Sequence, residues 1–209
     1  MKGMTISPRT ICFAHGGVHR SGHPINLALA IMLAAGCQGA AGRKTLASPD
    51  AAPLAAPAII PAALPINGHL PSMSEVARDL TDKGPNGHNF TDIYDRFLGG
   101  WRNDPIRIFE IGVASGGSVR LWNAYFPKGN LFAIDIVDSK QYDNARTKTF
   151  IADQANRQQL GKAMAAFGGE FDFILDDGGH RVEQQQISLG FLFKYVKSGG
   201  YYIVKDLHT

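Results

Sequence analysis

One stretch of the chain decides the fold class: Phe109-Glu110-Ile111-Gly112-Val113-Ala114-Ser115-Gly116-Gly117-Ser118. An apolar run ends beside an acid and enters a glycine-rich turn. Glycine lets the backbone turn tightly, and a helix starting at Ser118 offers unpaired N–H groups at its N-terminus. The pattern therefore predicts a strand, a tight turn and a helix, which is the unit from which parallel sheets are built.

The same alternation repeats along the rest of the chain. Predicted strands cover residues 106–112, 131–136, 149–152, 171–176 and 200–206, and predicted helices cover 74–80, 118–125, 154–167 and 182–196. Strands that alternate with helices at this pitch indicate a parallel sheet with helices on both faces. The expected fold class is α/β, with a Rossmann-like, doubly wound parallel sheet.

Composition divides the chain near residue 73. Residues 1–72 contain Phe13 as the only aromatic among the chain's 12 Phe, 6 Tyr and 2 Trp, and residues 45–72 contain six prolines. Proline disfavours both helices and sheets, and a segment with so few aromatic side chains has little with which to form a hydrophobic core. We therefore expect residues 1–72 to be a disordered, Ala/Pro-rich extension and residues 73–209 to be the folded domain.

Charge and cysteine usage exclude two kinds of site in that domain. The chain has a formal charge of +3, but residues 73–209 hold 16 basic and 17 acidic residues. A nearly neutral domain lacks the basic surface expected of a nucleic-acid-binding protein. Both cysteines, Cys12 and Cys37, lie in the extension, so the domain has neither a disulfide framework nor a thiolate zinc site.

The longest apolar run, residues 25–36, is too short for a spanning helix, which needs roughly 20 residues. Two interpretations of this run stay open. It is either part of an unstructured or wrongly assigned N-terminal extension, or an export signal with a lipoprotein-like end at Cys37. We expect a cytoplasmic protein, with export or lipid anchoring as the alternative.

Acidic residues stand at the predicted ends of all five strands: Glu110, Asp135, Asp153, Asp176 with Asp177, and Asp206. Ligands of parallel sheets bind at this edge. Asp135 is placed to accept both ribose hydroxyls of an adenosine, and Asp153 to hold its adenine amino group. Glu110 suits an amine-bearing or cationic ligand, while Ala114 breaks the dinucleotide pattern G-x-G-x-x-G. We predict one shared small-molecule site.

These residues also resemble a known family, the class I S-adenosylmethionine-dependent methyltransferases. More narrowly, the chain is similar to O-methyltransferases of macrolide sugars and rhamnosyl groups and to a methyltransferase of cephalosporin biosynthesis. The resemblance covers about residues 75–209. It is carried by TDKG (81–84) with His88 and Tyr94, EIGVASGGSVRLWNAYFPKGNLFAIDI (110–136), LDDGGH (175–180) and DLHT (206–209).

The resemblance implies an enzyme that transfers a methyl group from S-adenosylmethionine to a hydroxyl of a small molecule, such as a sugar or glycosylated natural product. It implies His180 as base, Asp177 and Asp206 as magnesium ligands, and these cofactor-binding residues: Glu110, Gly112, Gly116, Ser118, Asp135, Asp153, Gln154 and Asp176. The expected partner is the small acceptor, and a homo-oligomer stays open. A catalytically inactive cofactor-binding fragment is the alternative function.

Lys205 departs from the family pattern, which has a glutamate beside the final aspartate. An ammonium group has no lone pair for a metal and repels a divalent cation. Two interpretations stay open. Asp177 and Asp206 hold Mg²⁺ weakly together with substrate oxygens and water, or Lys205 lies on Asp177 and replaces the metal's charge.

The chain ends at Thr209, directly after the fifth predicted strand of the domain. The family's fold continues with a helix and two further strands. We therefore expect a methyltransferase domain that is incomplete at its C-terminus, or else a fifth strand with an exposed edge.

Overall fold

The computed structural model describes residues 70–207 and the backbone of residues 10–14. Within these residues the chain forms strands and helices that alternate after β2. In chain order they are β1 (Thr10–Ala14), α1 (Met73–Ala77), α2 (Thr91–Leu98), β2 (Arg107–Ile111), α3 (Gly117–Tyr125), β3 (Asn130–Asp135), β4 (Thr147–Ile151), α4 (Arg157–Phe167), β5 (Phe171–Asp176), α5 (Val182–Leu192) and β6 (Val196–Lys205).

The strands form one parallel sheet in the order β1-β6-β5-β2-β3-β4. From β2, the chain first builds outward through β3 and β4, then crosses back to place β5 on the other side of β2. The strand order thus reverses between β2 and β5, which is where ligands bind in such sheets. The predicted Rossmann-like, doubly wound sheet is confirmed.

Each face of the sheet has its own hydrophobic core. Neighbouring strand residues alternate between the two cores, as Phe173 and Ile174 do, because strand side chains point to opposite faces. Helices α1, α2 and α3 cover one face, and α4 and α5 cover the other. The first core contains the aromatic side chains Phe90, Tyr94, Trp122, Tyr125, Phe126 and Phe173.

Two helices, α1 and α4, begin at side-chain caps. Helix α1 begins after Ser72, whose hydroxyl accepts from the Glu75 N–H while the Glu75 carboxylate accepts from the Ser72 N–H, a capping box. The predicted helix 154–167 begins later, at Arg157, because the Asn156 side chain accepts from the N–H groups of Gln158 and Gln159.

The last helix and strand also differ from the prediction. Helix α5 ends at Leu192, a 3₁₀ turn covers Phe193–Tyr195, and β6 begins at Val196 instead of residue 200. Residues 198 and 199, which precede the predicted strand, lie within β6 beside an irregularity in its pairing with β5, and Gly199 has φ +82°. A bulge that needs a left-handed residue is a common use of glycine inside a strand.

The expectation of a wholly disordered segment 1–72 is wrong for Thr10–Ala14. This segment is strand β1 and pairs in parallel with β6, from Thr10 opposite Tyr201 to Ala14 opposite Lys205. The open edge of β6 presents unpaired backbone groups, and a five-residue segment without proline can satisfy them. The edge expected to be exposed is therefore covered along these five residues.

Several predictions fall outside the described residues. These are the apolar run at 25–36, the export-signal end at Cys37, the proline-rich segment up to residue 69, and His208 with Thr209. Among the described residues, no helix is long and apolar enough to cross a membrane.

Candidate functional site

A cleft of about 200 Å³ opens at the carboxyl ends of the central strands. Four of the predicted cofactor residues line it, and the structure brings them together from β2, β3 and the turn after β4: Gly112, Asp135, Asp153 and Gln154. Asp177, predicted as a metal ligand, also lines it. The cleft lies where the strand order reverses, as the topology predicts for a ligand site.

Glu110 is fully buried at the end of β2, one residue before the cleft-lining Ile111. Its Oε2 accepts a hydrogen bond of 3.2 Å from the Trp122 indole N–H, and its Oε1 is buried with no hydrogen-bond partner among the described residues. Burial raises the pKa of Glu110 to about 7; Lys83 opposes this shift, and Asp177 adds to it. A buried acceptor without a donor is costly, and a ligand amine would relieve it.

The glycines of the turn are required by close contacts within the protein. Gly112 has φ +91°, and a side chain there would collide with the Asp177 backbone carbonyl. Gly116 has φ +72°, and its Cα lies under the ring of Tyr142. Of the residues predicted in this segment, Glu110, Gly116 and Ser118 do not line the cleft; Ser118 is buried in the first turn of α3.

Asp135 holds the glycine turn in place. Its Oδ2 accepts hydrogen bonds from the N–H groups of Val113 (2.8 Å) and Ala114 (3.1 Å), and its Oδ1 accepts from Val137 (3.0 Å). Ala114 has φ +46°, an uncommon backbone conformation for a residue with a side chain. The carboxylate thus stabilises the turn and also faces the cleft.

Gln154 and Asp176 are joined to each other. The Gln154 amide donates to Oδ1 of Asp176 (3.0 Å) and accepts from the Gly179 N–H (2.6 Å), which fixes the loop after β5. Asp176 is fully buried and also accepts from Ser188 and Tyr202. Burial raises the pKa of Asp176 above its usual value, although these hydrogen bonds oppose the shift. Asp176 lies beneath the loop and does not line the cleft.

Asp177 lies between two ammonium groups. Its Oδ2 is paired with Nζ of Lys83, and its Oδ1 lies 3.1 Å from Nζ of Lys205. Nζ of Lys205 also lies 3.0 Å from Oδ2 of Asp206. Burial alone would raise the pKa of Asp206, but Lys205 and, more weakly, His180 lower it overall. Lys205 therefore joins the carboxylates that follow β5 and β6.

His180 approaches this cluster from the loop after β5. Its Nε2 lies 3.8 Å from Oδ2 of Asp206. His180 and Asp206 have φ +51° and +53°, in the left-handed region that residues with side chains seldom adopt. Such strained positions cluster at active sites, and here both lie at strand ends facing the same space.

Three side chains of this cluster are candidate ligands for a magnesium ion. Asp177, His180 and Asp206 each offer an atom within 4.8 Å of the others. However, Lys205 lies between the two carboxylates, and Lys83 is paired with the second oxygen of Asp177. A divalent cation there would lie against two largely buried ammonium groups, and like charges repel strongly where the surroundings have a low dielectric constant. In this arrangement the residues do not fit Mg²⁺.

Sequence reasoning assigned no role to three residues of the site. Lys83 lies within the TDKG stretch, but nothing in the sequence places it on Asp177 across 94 residues. Ile136 lines the cleft with 72% of its surface exposed, and Gln184 lines it with a buried Oε1 that has no hydrogen-bond partner among the described residues. An apolar residue directly after a strand-end acid was the available signal for Ile136.

The sheet order and the cleft define a Rossmann-like methyltransferase fold, which similar solved structures share. The protein MycE of mycinamycin biosynthesis, solved in complex with Mg, SAH and mycinamycin VI, is 36% identical with a TM-score of 0.60. The match covers 64% of this chain and 36% of that one. MycE in complex with Mg and SAH gives the same values.

Sequence relatives are sugar O-methyltransferases. Mycinamicin VI 2''-O-methyltransferase of Micromonospora griseorubida and demethylmacrocin O-methyltransferase of Streptomyces fradiae are each 35% identical over 147 residues, covering 66% of this chain and 37% of the relative. A tetracenomycin-C rhamnosyl 3'-O-methyltransferase of Streptomyces olivaceus is 33% identical over 141 residues, covering 64% of this chain and 36% of the relative. No protein-family model matches the chain.

These findings confirm the resemblance drawn from the sequence: the chain is similar to S-adenosylmethionine-dependent O-methyltransferases of macrolide sugars. The chain spans little more than a third of the length of these relatives.

Proposed function

We propose that this domain binds S-adenosylmethionine and transfers its methyl group to a hydroxyl of a small molecule, a sugar or glycosylated natural product. The observation that carries the proposal is Glu110. This carboxylate is fully buried at the end of β2, and its Oε1 has no hydrogen-bond partner among the described residues. A ligand amine would satisfy that oxygen, and the methionine part of the cofactor carries one.

The residues that line the cleft suit the adenosine part of the cofactor. Asp135 would accept hydrogen bonds from the ribose hydroxyls, as strand-end acids do in nucleotide-binding sheets. Ile136 offers an exposed apolar surface to a flat adenine ring, and its burial would be favourable. Asp153 and the unpaired amide oxygen of Gln184 are acceptors for the adenine amino group.

His180 is the proposed base. When bound, S-adenosylmethionine supplies a methyl group carried on a positively charged sulfur. A sugar hydroxyl is a weak nucleophile, so removing its proton during attack accelerates the transfer. The imidazole of His180 can accept that proton, and the Asp206 carboxylate, 3.8 Å from Nε2, stabilises the resulting positive charge.

The proposed partner is the small hydroxylated acceptor. The near-neutral domain offers nucleic acid no basic surface. We place the activity in the cytoplasm, because residues 73–209 contain no cysteine, which suits a reducing compartment. Formation of a homo-oligomer stays open, and analytical ultracentrifugation of the purified chain tests it.

Calorimetric titration with S-adenosylmethionine, S-adenosylhomocysteine and NAD⁺ tests the proposed cofactor. The first two should bind and NAD⁺ should not, since Ala114 interrupts the dinucleotide pattern. Turnover is then followed by mass spectrometry on a panel of free sugars, macrolide glycosides and rhamnosylated polyketides. Binding of NAD⁺ without binding of S-adenosylhomocysteine would overturn the proposal.

A second candidate is a domain that binds the cofactor without turning over. The ion pairs of Lys205 with Asp177 and Asp206 favour it, because they take up the carboxylates on the acceptor side of the cleft. Binding of S-adenosylhomocysteine with no methylated product across the whole panel would support this candidate over the enzyme.

A further inference from the structure

We propose that the ammonium group of Lys205 is a built-in replacement for a divalent cation, holding Asp177 and Asp206 together so that no metal binds between them. The proposal rests on the proposed function in taking this cluster as the acceptor side of a methyltransferase site. Similar solved structures of MycE are complexes with Mg, whereas in this chain an ammonium group lies between the two carboxylates.

The position of Lys205 follows from the sheet. Lys205 is the last residue of β6, and the register that pairs Val204 with Asp176 brings it beside Asp177 at the end of β5. Its Nζ lies 3.1 Å from Oδ1 of Asp177 and 3.0 Å from Oδ2 of Asp206. Since both are within ion-pair distance, one ammonium group bridges both carboxylates.

Burial and two further contacts hold Lys205 in this position. Its side chain is only 4% exposed, unlike a mobile surface lysine. Its Nζ lies 4.7 Å from the centre of the Phe90 ring, a cation–π contact. Its backbone carbonyl accepts a hydrogen bond of 2.9 Å from the buried Gln185 side chain. The ammonium group is therefore fixed where it lies.

Both carboxylates of the cluster already have ammonium partners. Two carboxylates, Asp177 and Asp206, face two ammonium groups, Lys205 and Lys83, and Lys83 occupies the second oxygen of Asp177. A divalent cation added between the carboxylates would lie against the ammonium groups of Lys83 and Lys205, whose side chains are largely buried, and this is strongly unfavourable. Without a positive charge between them, the carboxylates of Asp177 and Asp206 would repel each other. Lys205 thus stabilises the pair and excludes the metal.

The replacement also changes what the site can offer an acceptor. A metal ion binds a hydroxyl oxygen directly and lowers its pKa. An ammonium group can only donate a hydrogen bond to that oxygen, which stabilises developing negative charge more weakly. The proton must then leave to a side chain such as His180, and methyl transfer by this chain should not depend on added metal.

Metal binding is measured directly with Mn²⁺, whose free ion is counted by electron paramagnetic resonance. The unmutated chain should leave Mn²⁺ free at millimolar concentration, and its melting temperature should be unchanged by 10 mM Mg²⁺ (roughly the concentration needed to load a weak carboxylate site) or by EDTA. Tight Mn²⁺ binding with a matching rise in melting temperature in the unmutated chain would overturn the proposal.

The variant Lys205→Glu should create a metal site, since it removes the ammonium group and adds a third carboxylate. We expect Mn²⁺ affinity to rise at least about tenfold, and saturating Mg²⁺ to raise the melting temperature by roughly 5–10 °C. Lys197→Glu is the matched control: Lys197 is also on β6 and also paired with an aspartate, Asp172, but lies near the opposite end of the strand. It should show no response to Mg²⁺.

A second variant keeps the test decisive if Lys205→Glu does not fold. Lys205→Met removes the charge at similar length, so it should lower the melting temperature and raise Mn²⁺ affinity above that of the unmutated chain. An unchanged melting temperature and unchanged Mn²⁺ binding would mean that Lys205 does not hold the pair. Titration of the unmutated chain with S-adenosylhomocysteine tests the proposed function separately, because failure to bind it leaves the Mn²⁺ result intact.

Discussion

Oδ2 of Asp135 accepts a hydrogen bond of 2.8 Å from the backbone N–H of Val113, so the end of β3 holds the glycine turn that follows β2. The same carboxylate lines the cleft. A strand-end acid can therefore fix the turn and bind a ligand at the same time, and substitution should affect both properties.

Asp135→Ala should weaken binding of S-adenosylhomocysteine and lower the melting temperature together. Loss of an acceptor for two ribose hydroxyls costs about 2–3 kcal/mol, which is roughly a 30–150-fold loss of affinity. The melting temperature should also fall, because three backbone N–H groups lose their acceptor. Calorimetry and thermal melting measure the two effects.

Asp138→Ala, at an exposed aspartate of the following turn, is the control. Unchanged affinity in Asp135→Ala would refute the ribose assignment.

Glu110 should make stability fall as pH rises. Its pKa is about 7 in the folded chain against an ordinary 4.5, so between these values the unfolded chain releases a proton that the folded chain keeps. The free energy of unfolding should therefore decrease from pH 4.5 to pH 7, by up to about 3 kcal/mol from this group, and level off above. Urea denaturation at several pH values measures the slope.

Glu110→Gln should flatten that slope, because the amide does not titrate. Asp176, whose pKa burial also raises, is present in both proteins, so their difference isolates Glu110. If Glu110 binds the cofactor amine, S-adenosylhomocysteine binding near pH 6.5 should release a proton in the unmutated chain only. Calorimetry in buffers of different ionisation enthalpy measures this; equal proton release in the glutamine variant would contradict the assignment.

Strand β1 should contribute to stability. A chain beginning at Val18 lacks the strand that pairs with β6 from Tyr201 to Lys205. Its exposed β6 edge would lose backbone hydrogen bonds and could pair with other molecules. We expect a lower melting temperature and concentration-dependent association in sedimentation experiments. A chain beginning at Ser7, which keeps β1, should behave like the full chain; identical melting of all three would contradict the pairing.

Most of the sheet could be predicted because its local signals agree. The strands at 171–176 and 131–136 are apolar runs bounded by turn residues, and their observed bounds differ by at most one residue at each end. Strand β1 could not be predicted, because its five residues carry no periodic pattern and acquire a partner only through β6. The start of β6 was predicted too late because Ser198 and Gly199 carry no strand pattern, whereas they lie within a bulged strand.

The sequence predicted which strand ends meet at the site, but not how the side chains are arranged there. Sequence placed Asp135, Asp153, Asp177 and Asp206 at one edge, and the structure brings them there. It did not distinguish Asp177, which faces the cleft, from its neighbour Asp176, which is buried beneath the loop. Successive residues at a strand end differ in orientation, and that orientation depends on packing with α5. The position of Lys83 beside Asp177 depends on a loop that folds across the sheet edge. This long-range contact has no local signal in the sequence.

His180→Ala should reduce methyl transfer while leaving cofactor binding nearly unchanged. A general base contributes about 10²–10⁴-fold to a rate, so turnover should fall within that range. Binding of S-adenosylhomocysteine should stay within about twofold, since a lost contact outside the binding surface changes little. His180→Asn should be equally slow, because an amide cannot accept the proton. Gln186→Ala, at an exposed position of α5, is the control and should keep full activity. Turnover by His180→Ala equal to that of the unmutated chain at every pH would show that another group removes the proton.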